Sequence, residues 1–169
     1  MESQTGVLLM KPTRVSFRTA VWLCPMAFML HVVEESPRLT AWVQRHVNPR
    51  FTQDHYAVVH FEGVLLSILL AVVLSRWPLT PLVFLFLAFC ALPAFLWNIV
   101  FHLGATLVYH DESPGTLTAL TVYPLLVWAL LRAVVREGLL TCKAVFAALA
   151  IGAVFHAAEV YWNVYRFGL

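Results

Sequence analysis

Charge is scarce in this sequence. Of its 169 residues, 12% are Asp, Glu, Lys or Arg, whereas 61% are hydrophobic. A soluble domain is about half apolar and about a quarter charged, so the composition argues against one. The formal net charge of +2 is too small to predict a nucleic-acid-binding surface. We expect a multi-pass integral membrane protein with the lipid bilayer as its main partner and one domain covering residues 1–169.

Cysteine is also rare, and its spacing matches no motif. Cys24, Cys90 and Cys142 lie far apart in apolar runs. A disulfide framework or a zinc knuckle needs paired cysteines at short, regular spacing. We therefore expect three buried free thiols.

Long apolar runs, in contrast, are abundant. Each has about the 20 residues that a helix needs to cross a bilayer, and prolines or polar turns separate them. Leu39, Trp42 and Val43 recur at helical spacing after the first run and predict a short interfacial helix. The predicted fold class is all-α, a bundle of five transmembrane helices. The predicted spans are residues 16–36, 54–77, 81–107, 116–135 and 140–165.

The basic residues indicate an orientation for these spans. Lys and Arg are enriched in cytoplasmic loops, and more of them fall on the side of the N-terminus than on the opposite side. We therefore predict a cytoplasmic N-terminus. The residues on the N-terminal side are Lys11, Arg14, Arg18, Arg76, Arg132, Arg136 and Lys143, against Arg38, Arg45, Arg50 and Arg166 on the other.

The first apolar run ends in strong metal ligands, His31, Glu34 and Glu35. Ionisable groups within a membrane span cost several kcal/mol unless they are paired, and they usually mark a site. Spacings of three and four residues place both carboxylates on the same helix face as His31. A polar helix end solvated at the lipid headgroups is the alternative interpretation.

Three other spans carry polar residues at the same membrane depth. With a rise of about 1.5 Å per residue, these side chains lie about 5 to 12 Å inside one face of the bilayer. Hydropathy alone does not require this agreement, so we predict that the side chains form one buried cluster. They are His55, His60 and Glu62 in the second span, Asn98 and His102 in the third, and His156, Glu159 and Asn163 in the fifth.

The second span offers alternatives. His60 and Glu62 project about 200° apart on a regular helix, so both cannot point inward. We favour Glu62 as the ligand, with His60 or His55 as alternatives. In the fifth span, His156 and Glu159 could instead form a structural pair between helices.

Mixed imidazole and carboxylate ligands on facing helices are typical of dinuclear iron or manganese sites, and they exceed the needs of one tetrahedral zinc ion. We expect two transition-metal ions, with iron favoured and zinc as the alternative. Of the adjacent Glu34 and Glu35, one binds or bridges metal and the other supports it. Candidate catalytic residues are Glu35 and Asn98. Candidate metal ligands are His31, Glu34, Glu35, His60, Glu62, His102, His156 and Glu159.

The expected function is the oxidation of a small or amphiphilic substrate with dioxygen, with electrons from a donor protein. The tail of that substrate would lie among Phe61, Trp97, Phe101 and Phe155. The first alternative is a zinc-dependent membrane hydrolase, in which metal-bound water attacks an ester or amide. The second is a non-enzymatic metal-binding membrane protein.

The chain resembles the HXXEE proteins, small integral membrane proteins named for the motif seen here as His31-Val-Val-Glu34-Glu35. Three later segments look like further signatures of that family: residues 98–102 (NIVFH), 114–119 (PGTLTA) and 156–159 (HAAE). The resemblance extends from about residue 25 onward. It implies a membrane-embedded, metal-dependent enzyme whose functional positions are His31, Glu34, Glu35, Asn98, His102, His156 and Glu159.

Overall fold

The computed structural model describes residues 15–166, and this part of the chain is helical, without β-strands. Three helical segments join into one continuous helix, Thr80–Tyr109, and two join into another, Cys142–Tyr165, so we number seven helices. They are α1 (Phe17–Glu35), α2 (Leu39–His46), α3 (Gln53–Arg76), α4 (Thr80–Tyr109), α5 (Thr116–Thr121), α6 (Tyr123–Arg136) and α7 (Cys142–Tyr165).

Three of the described helices, α3, α4 and α7, are long and apolar enough to cross a membrane. They contain 24, 30 and 24 residues, or about 36 to 45 Å of helix, against a hydrocarbon core of about 30 Å. Their bounds lie within two residues of the predicted ones. The helix α1 also coincides with a predicted span, although its 19 residues include Arg18, Glu34 and Glu35. The structure is thus compatible with a membrane protein that has at least three spans.

The predicted span 116–135 is not one helix, which corrects the sequence-based prediction. The chain divides at Val122 into α5 and α6. Pro124 stands in the first turn of α6, where it has no N–H to give to the preceding turn. A proline is tolerated in a first helical turn but not in the middle of a helix, so the helix restarts there.

The helix α4 widens around a second proline. Residues Leu87–Trp97 form a π-helical segment that contains Pro93, and regular α-helix resumes at Asn98. Wide turns of this kind relieve the lost hydrogen bond of a proline and often occur at functional sites. The segment directly precedes Asn98 and His102, so it sets the rotation at which these side chains emerge.

The main hydrophobic core lies near the start of α1. The buried side chains there are small at the helix contacts, including Ala20, Ala88 and Ala133, and small residues let membrane helices approach closely. Where α7 meets α4, a Cβ added at Gly152 would lie 3.2 Å from the carbonyl oxygen of Ala88. This tight end of the bundle leaves the polar residues at the opposite end.

A second, smaller core holds α2 against the polar end of the bundle. Leu39, Trp42 and Val43 are buried with Tyr56 and Ala105, as their helical spacing predicts. The Tyr56 hydroxyl donates a hydrogen bond to the carbonyl oxygen of Val32 at 3.0 Å, which links α3 to the end of α1.

The beginning of α1 is tied to the end of α6. Glu137 Oε1 accepts a hydrogen bond from the backbone N–H of Phe17 at 2.8 Å, and Ser16 caps the same helix by accepting from Thr19 N. Both contacts satisfy N–H groups that a helix leaves without partners in its first turn.

We expect Glu137→Ala to destabilise the protein, because it removes an acceptor of a backbone N–H in a buried helix end. Loss of a hydrogen bond to a partly solvated carboxylate costs about 1 kcal/mol. Thermal unfolding of the purified protein should show a lower midpoint for this variant. The exposed Glu112→Ala is the control, and equal midpoints for the two variants would contradict the role of Glu137.

Candidate metal centre

The side chain of Glu35 is the meeting point of three imidazoles. Its Oε1 atom lies 3.3 Å from the Nε2 atoms of both His31 and His102, and its Oε2 atom lies 3.2 Å from His60 Nε2. His31, Glu35 and His102 are 1%, 4% and 0% exposed. Helices α1, α3 and α4 thus bring one carboxylate and three ring nitrogens together away from solvent.

Hydrogen bonds on the far side of two rings fix which nitrogen faces Glu35 without a proton. His60 Nδ1 lies 2.8 Å from the carbonyl oxygen of Tyr56, and a carbonyl can only accept. Thr118 donates its hydroxyl proton to the Gly115 carbonyl, so it accepts from His31 Nδ1 at 2.6 Å. In their neutral forms both rings therefore present the Nε2 lone pair to the carboxylate.

The remaining members of the cluster are held in the same way. His102 Nδ1 lies 2.9 Å from the hydroxyl of the buried Ser113, and His102 Nε2 lies 3.2 Å from His31 Nε2. The Asn98 amide donates to His31 Nε2 at 3.0 Å. The hydrogen bonds at Nδ1 are of the type that orients metal-binding histidines, whereas the Asn98 N–H occupies the Nε2 lone pair of His31 that a metal would use.

This arrangement fits a bound cation. The Nε2 atoms lie 3.2–3.3 Å from the carboxylate oxygens, and positive charge between them, either a ring proton or a metal ion, turns repulsion of lone pairs into attraction. His31 Nε2, His102 Nε2 and Glu35 Oε1 form a triangle with edges of 3.2, 3.3 and 3.3 Å. Nitrogen and oxygen ligands bound to one ion at about 2.0–2.2 Å are separated by about 3 to 3.5 Å, so the triangle has the size of a metal site.

The loop between α4 and α5 covers the cluster on one side and lies in close contact with it. Gly115 has φ +97°, and a Cβ built on it would lie 2.5 Å from His31 Cε1, 2.8 Å from His102 Cε1 and 2.9 Å from Glu35 Cγ. Both the backbone conformation and the space therefore require glycine. The same loop carries Ser113, so a few residues both cover and orient the cluster.

Glu34 and Glu62 lie elsewhere. The carboxylate of Glu34 accepts hydrogen bonds from Leu117 N at 3.0 Å and Thr118 N at 2.8 Å, which joins α1 to the beginning of α5. Glu62 is exposed on α3. In the second span it is therefore His60, and not the favoured Glu62, that the structure brings to the cluster. Helix periodicity alone does not say which face of α3 turns inward. His60 lies on the inner face, where its ring contacts the Tyr56 ring and its Nδ1 atom bonds to the Tyr56 carbonyl.

His156 and Glu159 share a cavity with the cluster but lie outside it. The cavity, of about 220 Å³, is lined by His31, Glu35 and His60 on one part and by His156 and Glu159 on another. Most of its remaining lining is apolar, including Phe28, Phe89 and Phe101. Of the other polar residues expected at this depth, the Asn163 carbonyl lies 3.0 Å from His55 Nε2, which joins α7 to α3.

Sequence reasoning assigns no role at the site to Ser113, Gly115 or Thr118, although the last two lie in the signature segment 114–119. Ser113 and Thr118 are ordinary hydroxyl residues with no distinctive spacing. The signal that could have identified them is the turn sequence Pro114-Gly115 beside two hydroxyl residues, directly after a span that carries a histidine. Helix periodicity does not show that this turn folds back over the span.

We expect Gly115→Ala to disrupt the cluster, because the added methyl group would overlap both imidazoles and the backbone conformation disfavours any side chain. Overpacking costs about 1–3 kcal/mol, and a left-handed conformation adds about 1–2 kcal/mol. Thermal unfolding measures the loss. Gly104→Ala is the matched control, since nothing lies within 4 Å of its added Cβ. Equal unfolding midpoints for the two variants would contradict the close approach of Gly115.

Comparison with known proteins gives one match. Residues 22–129 match the model of a family described as a protein of unknown function with HXXEE motif. The matched range includes all members of the cluster and the loop that covers it, and it ends before α7. No curated protein and no solved structure matches the chain. The match spans more than half of the sequence, and the chain therefore belongs to the HXXEE family.

Proposed function

We propose that this protein is an integral membrane metalloenzyme that oxidises an amphiphilic substrate with dioxygen. The observation that supports the proposal is the convergence of His31, His102 and Glu35 in a buried triangle of ligand atoms. Two histidines and one carboxylate with further positions open are the ligand set of many non-haem iron oxygenases. Bound iron would supply the capacity to activate dioxygen.

A second ion of a dinuclear centre would lie on the other oxygen of Glu35. Oε1 faces His31 and His102, whereas Oε2 faces His60, and a carboxylate shared in this way can bridge two metals. His31, Glu35 and His60 line the cavity, so substrate would approach the centre from the cavity and not from the side covered by Gly115.

The residues around the centre have separate tasks in this proposal. His31 and His102 would hold metal through Nε2 while Thr118 and Ser113 fix their rings. The Asn98 N–H that bonds to His31 Nε2 would turn to an oxygen-containing group when metal takes that lone pair. The apolar wall of the cavity, with Phe28 and Phe89, binds an alkyl chain and excludes water.

We also propose that the protein crosses the membrane five times. The helices α1 and α5–α6 complete a five-span bundle with α3, α4 and α7, and the N-terminus is cytoplasmic. The electrons that dioxygen reduction consumes would come from a separate donor protein.

Metal analysis of protein purified without chelating tags tests the proposal. We expect about two irons per chain, and at least tenfold less metal in His31→Ala, His102→Ala and Glu35→Gln, because the first two remove a ligand nitrogen and the third removes the negative charge of the carboxylate. Glu62→Gln is the control, since Glu62 is exposed. A folded, active wild-type protein that holds no more metal than His102→Ala would contradict the proposal.

A zinc-dependent membrane hydrolase is the second candidate. The same observation favours it, since two histidines and one glutamate also bind catalytic zinc and leave a position for water. One zinc per chain without dioxygen consumption would identify this activity, whereas iron that changes colour on reduction would identify the oxidase.

We expect Thr118→Val to weaken metal binding without removing a ligand. The hydroxyl accepts the Nδ1–H of His31, and loss of such a partner typically costs 10- to 100-fold in metal affinity. Competition with a chelator of known affinity measures the change. Thr121→Val is the matched control, because the Thr121 hydroxyl donates only to the Leu117 carbonyl of its own helix. An affinity equal to that of the control would show that Thr118 does not orient the ligand.

A further inference from the structure

His156 is a buried imidazole whose hydrogen-bonding capacity is not used within the described residues. Neither ring nitrogen has a hydrogen-bond partner in the range 15–166, and the side chain is 13% exposed. Glu159 Oε2 lies 3.8 Å from His156 Nδ1, too far for a hydrogen bond. A buried polar group without a partner costs about 1–3 kcal/mol, so a ligand that supplies the partner would bind favourably here.

The position of His156 connects it to the metal centre. Its ring is in edge contact with Phe101 at 6.3 Å between centroids, and Phe101 contacts His102 in the same way at 5.2 Å. His156 also lines the cavity that reaches His31 and Glu35. A polar group bound at His156 therefore lies a short distance from the cluster.

The charges of the cavity limit which head group can bind. Its lining within residues 15–166 contains two carboxylates, Glu35 and Glu159, and no Lys or Arg. A carboxylate or phosphate head at His156 would be repelled by Glu159, whose Oε2 lies 3.8 Å from His156 Nδ1. A hydroxyl can donate to Glu159 and accept from an N–H of His156.

The size of the cavity limits where the rest of the ligand lies. Its volume of about 220 Å³ is below the range of about 300–1,000 Å³ that encloses a drug-sized ligand. Leu66 on α3 and Phe89 on α4 line it while remaining 49% and 41% exposed. The cavity is therefore open along its apolar side, where an alkyl chain can continue into lipid.

We infer that His156 and Glu159 bind the head group of a long-chain alcohol, whose alkyl chain passes between α3 and α4 into the bilayer. This assigns His156 to the ligand instead of to the metal. That the alcohol is also the substrate rests on the proposed function, whereas its binding does not.

Photo-crosslinking tests this inference on the full-length protein in lipid nanodiscs. The probe is a C12 alcohol with a diazirine at mid-chain, and the comparison probe is the C12 carboxylate with the diazirine at the same carbon. We expect the alcohol to label residues of the cavity wall, with at least tenfold less labelling by the carboxylate. His156→Ala should reduce alcohol labelling at least tenfold, and His156→Gln, which keeps a donor and an acceptor, should restore part of it.

Metal content, measured on the same samples, separates this inference from the proposed function. We expect His156→Ala to retain the wild-type metal content and His31→Ala to lose metal while still being labelled. Loss of metal in His156→Ala would overturn the inference, because His156 would then be a metal ligand. Equal labelling by both probes, or labelling unchanged in His156→Ala, would also overturn it. Normal alcohol labelling of a wild-type protein that binds no metal would refute only the proposed function.

Discussion

The arrangement of the polar end of the molecule depends on the electrostatics of one buried carboxylate. Glu35 is 4% exposed and has imidazoles on both oxygens, with the hydrogen-bonded Nδ1 atoms turned outward. A buried anion needs compensating positive charge, which either a proton on a facing imidazole or a bound metal ion supplies. The surroundings of Glu35 thus explain why α1, α3 and α4 converge here.

Close helix packing and the polar cluster lie at opposite ends of the bundle. Close helix contacts through small residues such as Ala20 and Ala133 stabilise one end. At the other end, α2 and the loop after α4 cover polar groups, and the π-helical turn around Pro93 adjusts the direction of the side chains that follow it. The closely packed end fixes the helices relative to one another, whereas the polar end contains both the ligand atoms and the apolar cavity.

Much of the fold could be predicted from the sequence, but only part of the site. Apolar length and proline positions gave the long helices, and equal depth indicated that His31 and His102 would meet. Depth does not determine rotation, however, so it could not choose His60 over Glu62, which needs the helix packing. Loop contacts such as those of Gly115 depend on how the chain returns over the bundle, and no periodic pattern encodes that return.

The close contact between Gly115 and the cluster restricts access to the ligand atoms from one side. Its backbone lies so close to the imidazoles that no atom larger than hydrogen fits, and Ser113 beneath it is fully buried. Water on that face therefore has no direct path to the ligand nitrogens, and the opposite approach leads through an apolar chamber that hydrated ions avoid. In the proposed metalloenzyme, an ion would therefore exchange slowly with the surroundings.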